Sequence, residues 1–261
     1  MQKGVRTVTK FTALLKVMSR DRFRLINWLL VADIAVVAAT LLWSFVRQGI
    51  QPGETFGVAL AWSMVAFVIA FVLLSVRIER VYTRDTYRLL PLGDTKLYLT
   101  NLFSSFVMFI YFGIIQLIIY LITEAVDNTY LTGMLRIMSG PSYTTAEAAK
   151  VCVGMAIMGL SLVILGWTTI SLVHLVISAT NNFLPNASRR LINVVLYIIV
   201  IYLVVRVIGF LFYEFNNFGQ LIDGGGTTHF LINILGVLVV AAIEAALNIF
   251  ILKKWVETVP N

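Results

Sequence analysis

Residues 77–98 read Arg-Ile-Glu-Arg-Val-Tyr-Thr-Arg-Asp-Thr-Tyr-Arg-Leu-Leu-Pro-Leu-Gly-Asp-Thr-Lys-Leu-Tyr and lie between two long apolar runs. Five bases (Arg77, Arg80, Arg84, Arg88, Lys96) and three acids (Glu79, Asp85, Asp94) crowd this stretch. That many charges exclude it from hydrocarbon, so it is read as a loop joining two membrane spans. It is also expected to be ordered. From Arg80 to Leu90 there is no helix breaker, and Pro91 then ends the run because its ring clashes with the preceding turn. Gly93 or Asp94 is placed to cap the helix that follows. A short charged helix carrying Tyr82 and Tyr87 is more than orientation requires, and it reads as a rigid peg for a groove in another protein.

The composition on either side agrees. Of 261 residues, 59% are apolar, more than a soluble chain of this length can bury. Spans of about 20 residues are placed at 25–46, 56–76, 97–123, 150–177, 191–212 and 230–252. The fold class is therefore all-α, a polytopic membrane protein of six spans forming a single domain over residues 1–261. The net charge of +7 is strung between spans instead of lining one soluble face, which argues against nucleic acid. One cysteine, Cys152, excludes an internal disulfide, and no histidine cluster suggests a metal. The first residues are too charged for a signal peptide, so the chain is expected to keep its N-terminus.

Residues 3–24 hold Lys3, Arg6, Lys10, Lys16, Arg20, Arg22 and Arg24 against the single acid Asp21. On a helical wheel Val8, Phe11, Leu14, Leu15 and Met18 share one side, with Lys3, Arg6 and Lys10 largely opposite. Val5 and Val17 break the pattern. An interfacial helix over 3–22, lying on anionic lipid, is expected. The N-terminal segment, the 77–96 loop, Arg189-Arg190 and Lys253-Lys254 alternate with loops carrying Glu54, Glu124, Asp127, Glu147, Glu214 and Asp223. Bases gather on the cytoplasmic side, which places both termini inside. The run Gly224-Gly225-Gly226 follows no strand and is read as a turn.

No Gly-x-x-x-x-Gly-Lys-Ser/Thr loop is present, so the chain is not expected to hydrolyse ATP by itself. His174 stands alone in an apolar run and His229 at a membrane boundary, just before the run 230–252, without metal-binding spacing. Ser161 and Ser171 are better read as packing hydroxyls than as nucleophiles. Three ionisable residues lie within predicted spans: Asp33, Arg206 and Glu244. Asp33 is about eight residues into the first span and Glu244 about eight from the end of the sixth, roughly 12 Å from the inner face at 1.5 Å per residue. Arg206 lies in the outer half of the fifth. They are read either as a polar lining for a substrate path or as interhelical glue with a snorkelling arginine. Ala241/Ala245 and Ala242/Ala246 flank Glu244 as small-residue pairs, which turns it toward protein.

This layout resembles a small ABC-2-type ABC transporter permease of the Gram-positive kind, and the segment Thr86-Tyr-Arg-Leu-Leu-Pro-Leu-Gly-Asp-Thr-Lys-Leu-Tyr98 is similar to the loop such permeases carry into the third span. The resemblance implies that the 77–92 helix couples to a separate ATPase subunit through Arg80, Tyr82, Arg84, Asp85, Tyr87, Arg88, Leu89 and Leu90. It implies a connecting helix at the inner leaflet of a bacterial cytoplasmic membrane, with Lys3, Arg6, Lys10 and Phe11 at the interface. A second copy or a paralogue would complete the path, and ATP and Mg would be bound by the partner. Export of a peptide, antibiotic or lipid is the activity implied. Alternatives are the coupling subunit of an energy-coupling-factor importer, a secondary transporter and an intramembrane hydrolase. The first lacks its Ala-Arg-Gly-type motif here, the second its inverted repeats, and the third any constellation. The family's last outer segment often forms re-entrant helices, for which 213–229 is short and glycine-rich.

Overall fold

The computed structural model describes residues 11–83, 93–127, 145–183 and 227–254, together with positions 194, 198, 202, 209 and 213. Five helices account for the continuous stretches: α1 (Phe11–Gln48), α2 (Glu54–Thr83), α3 (Asp94–Asp127), α4 (Thr145–Phe183) and α5 (Thr227–Lys254). Each is long and apolar enough to cross a membrane. Five of the predicted spans fall inside them. Of the predicted span 191–212, positions 194, 198, 202 and 209 are described, and all are helical and exposed.

Helix α1, α2 as far as Val81 and α3 form one compact unit, and α4 with α5 belong to another. In α1 the buried positions Leu14, Met18, Arg22, Ile26, Leu30 and Asp33 recur every three or four residues, the spacing of one helical face. The matching face of α2 is made of Ala59, Ser63, Ala66 and Ala70, all nearly inaccessible. Small side chains let neighbouring backbones approach closely, which is how helices associate where lipid offers no hydrophobic drive. Large apolar residues such as Val68, Ile69 and Val72 point outward instead. Along this part of α2 the pattern is inverted relative to a soluble bundle: small inside, bulky and apolar outside.

Two glycines make the α1–α2 corner. Gly49 has φ 77° and Gly53 φ 81°, left-handed conformations that a Cβ disfavours. The Gly49 amide donates back to the Phe45 carbonyl at 3.2 Å, closing α1 in the manner of a left-handed helix cap. Glu54 then locks the corner. Its carboxylate accepts from the Gln51 amide at 2.9 Å and from the Ser44 hydroxyl. At the start of α3 the Gly93 carbonyl accepts from the Lys96 and Leu97 amides at 2.9 and 3.1 Å, so Gly93 is the capping residue and Asp94 opens the helix, where a negative charge suits the dipole.

In the other unit α4 and α5 run in the same direction. Gly154 faces Phe230, where an added Cβ would stand 3.1 Å from the ring, and further along both helices Thr168 and Thr169 reach Glu244. On α5 the inward positions Phe230, Ile234, Val237, Ala241, Glu244, Asn248 and Ile251 alternate by four and three, a heptad seam suited to a near-parallel helix partner.

Two sequence expectations change here. The stretch 3–22 was expected as a separate interfacial helix, yet residues 11–24 are the first turns of α1, with no break before Gln48. Nothing in that run stops helix propagation, and part of its apolar face is covered by protein. Leu14 and Met18 form a buried cluster with Val81 and Leu97. Likewise residues 77–83 do not start a new helix but continue α2. The residues after Val76 include no glycine or proline, and Ile78, Val81 and Tyr82 are buried, so the helix keeps a packed face after its charged residues begin.

Candidate functional site

The charged ends of α1, α2 and α3 meet at one place. Arg22, on α1 and 2% exposed, donates from Nη2 to Oδ1 of Asn101 on α3. Asn101, fully buried, uses its Nδ2 to reach the carbonyl of Ile78 on α2 at 2.9 Å. One asparagine thus clasps three helices. Beside it, Arg77 Nη1 lies 2.9 Å from Asp21 Oδ2 across α1 and α2. That pair is exposed and contributes little alone, whereas a hydrogen bond to a buried guanidinium is of the stronger, charge-assisted kind. Below the clasp lies the cluster of Leu14, Met18, Val81 and Leu97. The last turns of α2 are therefore held from both sides.

The predicted contact residues distribute unevenly around this anchor. Arg80 is exposed and Tyr82 is fully buried. Arg84, Asp85, Tyr87, Arg88, Leu89 and Leu90 lie outside the described residues, as do Lys3, Arg6, Lys10 and Arg206. Phe11 opens α1 and is exposed.

Both carboxylates expected within spans have neutral partners. Asp33 is buried, and Gln116 Nε2 donates to its Oδ2 at 2.7 Å, joining α1 to α3. Glu244 accepts from Thr168 Oγ1 at 2.7 Å and from Thr169 Oγ1 at 2.9 and 3.0 Å, joining α5 to α4. One turn on, Asn248 Nδ2 donates to the Thr168 carbonyl at 2.9 Å. Further polar ties join the helices of the first unit: Tyr111 donates to Asn27 Oδ1 at 3.0 Å, Trp62 Nε1 to Thr40 Oγ1 at 3.1 Å, and Ser63 meets the Tyr120 hydroxyl. In hydrocarbon such interhelical bonds average about 0.6 kcal/mol each, so their number and placement matter more than any one. Ser161 donates to the Ile157 carbonyl of its own helix at 2.8 Å, the packing use of a hydroxyl. Among the described residues no group of histidine, cysteine and carboxylate side chains is arranged to hold a metal.

The Glu244 site yields a direct prediction. Changing Thr168 and Thr169 together to valine keeps their shape but removes both hydroxyl donors, at a cost of about 1–3 kcal/mol for a stranded buried acceptor. Thermal unfolding in detergent is expected to shift downward, and adding Glu244→Leu to the double variant is expected to recover part of the loss. An unchanged melting curve in the valine variant would show that the hydroxyls do not hold the carboxylate.

Reading the sequence alone did not single out Asn101, Gln116, Thr168 or Asn248. Their signal was present, as lone amides and hydroxyls inside apolar runs, but nothing in the sequence indicates which of them meet. No protein-family model, no curated protein and no solved structure matches this chain.

Proposed function

We propose that this chain is the transmembrane subunit of an ATP-driven transporter of the ABC-2 permease kind, coupled to a separate ATPase through the charged segment that follows α2. The observation that carries this reading is the clasp of Arg22, Asn101 and the Ile78 carbonyl. It ties α2 at Ile78, near the helix end at Thr83, to α1 and α3. A segment meant only to orient loops in the membrane needs charge but not a rigid foundation. A lever that receives mechanical work needs both.

Topology supports the same reading. Helices α4 and α5 lie side by side in the same direction and each is membrane-length, which favours one more crossing between them. The apolar run 191–212 is the proposed sixth span. The basic residues then collect on one face, which the positive-inside rule makes cytoplasmic, with both termini there and the membrane a bacterial cytoplasmic one. In this arrangement Asp33 and Glu244, satisfied by Gln116 and by threonines within their own helix units, act as interhelical fasteners. Arg206 remains the candidate for a polar lining. A path with so little charge suits an amphipathic or hydrophobic cargo such as a peptide, antibiotic or lipid. A second copy or paralogue would enclose the path, ATP and Mg would reside on the ATPases, and their closure would push on the 84–92 segment.

The test is isolation of the chain from its native membrane under mild detergent. A nucleotide-hydrolysing subunit is expected in stoichiometric amount, and cargo movement in vesicles containing both is expected to need ATP. Cargo movement by the chain alone would overturn the proposal.

A further inference from the structure

We infer that α1 carries a binding site for a single anionic phospholipid at Arg20, Phe23, Arg24, Asn27, Trp28 and Val31. These six residues line a cleft of about 430 Å³. They recur every three or four positions along one helix and so form a single stripe. Its chemistry is graded along the helix axis. Arg20 and Arg24, one turn apart, stand at one end, and both are exposed. Trp28 and Val31 are 71% and 59% exposed at the other, about 10 Å further along at 1.5 Å per residue. Among the described residues neither Arg20 nor Arg24 has an ion-pair partner, whereas Arg77 is paired with Asp21 and Arg22 is bonded to Asn101.

The wall between the two ends is built in advance. Tyr111 of α3 donates to Asn27 Oδ1 at 3.0 Å and packs its ring 5.3 Å from that of Phe23. With its oxygen so engaged, Asn27 retains its amide N–H groups as donors lining the cleft. Two guanidinium forks suit the oxygens of a phosphodiester, and an amphipathic indole is at home at the level of the head groups. The exposed apolar surface beyond it suits the start of an acyl chain. Cation above and apolar surface below complement a lipid with net negative charge, and a soluble anion would leave Trp28 and Val31 uncovered. The inference goes beyond the transport reading and does not rest on it.

Native mass spectrometry of the full chain in detergent, with phosphatidylglycerol and phosphatidylcholine in competition, tests it. One tightly retained phosphatidylglycerol per chain is expected, not displaced by excess inorganic phosphate. Arg20→Gln/Arg24→Gln is expected to weaken retention about thirtyfold, as the loss of two basic contacts to an anionic head group implies. Lys253→Gln/Lys254→Gln removes the same charge elsewhere and is expected to leave retention intact. Equal retention of the two lipids by the unaltered chain would overturn the site, as would displacement by phosphate or an equal loss in the lysine control.

Discussion

Changing Arg84, Tyr87 and Arg88 together to alanine is expected to abolish capture of the ATPase subunit while leaving the membrane fold unaltered. Arginine and tyrosine dominate the energetics of protein contacts because they combine a large, stiff contact area with directional hydrogen bonding. Truncating three of them near the centre of one contact is expected to cost about 3–4 kcal/mol, a factor of about 100–1,000 in affinity. The sum is less than three independent hot spots would imply, since neighbouring contacts are not additive. Charges at such a contact also steer association, so high salt should slow assembly more than it weakens the finished complex. In sequence the three residues follow Thr83, the last residue of α2, so the melting temperature of the isolated chain is expected not to move. Arg47, at the opposite end of α1 and stacked on Trp43, supplies the control. Arg47→Ala should leave capture untouched. Quantitative pull-down with the triple variant decides the matter, and undiminished capture would remove the 84–92 segment from the coupling role.

Asn101→Leu is expected to be the most destabilising single substitution in the three-helix unit. Leucine fills much the same volume, but it withdraws the acceptor from the buried Arg22 and the donor from the Ile78 carbonyl together. Leaving a buried guanidinium short of one hydrogen-bond acceptor costs about 1–3 kcal/mol. Replacing both partners by apolar groups is often close to neutral. Arg22→Met/Asn101→Leu should therefore melt above Asn101→Leu alone, and this double-mutant comparison isolates the coupling between the two side chains. Function should separate from stability in the double variant. With the clasp gone but the core intact, the ATPase should still bind, and ATP-driven transport should fall because the lever can flex at its root. Transport in the double variant at the level of the unaltered chain would show that the clasp serves folding alone. If Asn101→Leu melts like the unaltered chain, the clasp contributes nothing even to folding.

The same residues show how far the chain could be read in advance. That α2 and α3 are long and apolar enough to cross a membrane was legible from their apolar runs. Gly93 and Asp94 were both legible as caps for the third helix, and the structure gives the cap to Gly93. The end of α2 was misjudged by several residues. Charge was taken as the limit of the helix, whereas burial of Ile78, Val81 and Tyr82 carried it on. Tyr82, expected to contact a partner, is buried within the chain. Leu14 and Met18 were read as lipid-facing because an amphipathic wheel gives the apolar side without saying whether lipid or protein covers it. Protein does.

The division has a physical cause. The price of a charge in hydrocarbon belongs to a residue and its neighbours in the chain, so composition and periodicity by themselves determined an all-helical protein with membrane-length helices and a charged break after the second. The pairing of polar groups belongs to the register between helices remote in sequence. Arg22 meets Asn101 across 79 positions and Asp33 meets Gln116 across 83, separations that no local pattern encodes. Only the packed structure decided that Asp33 and Glu244 are held by neutral side chains, and that one asparagine ties three helices together where the charged segment begins.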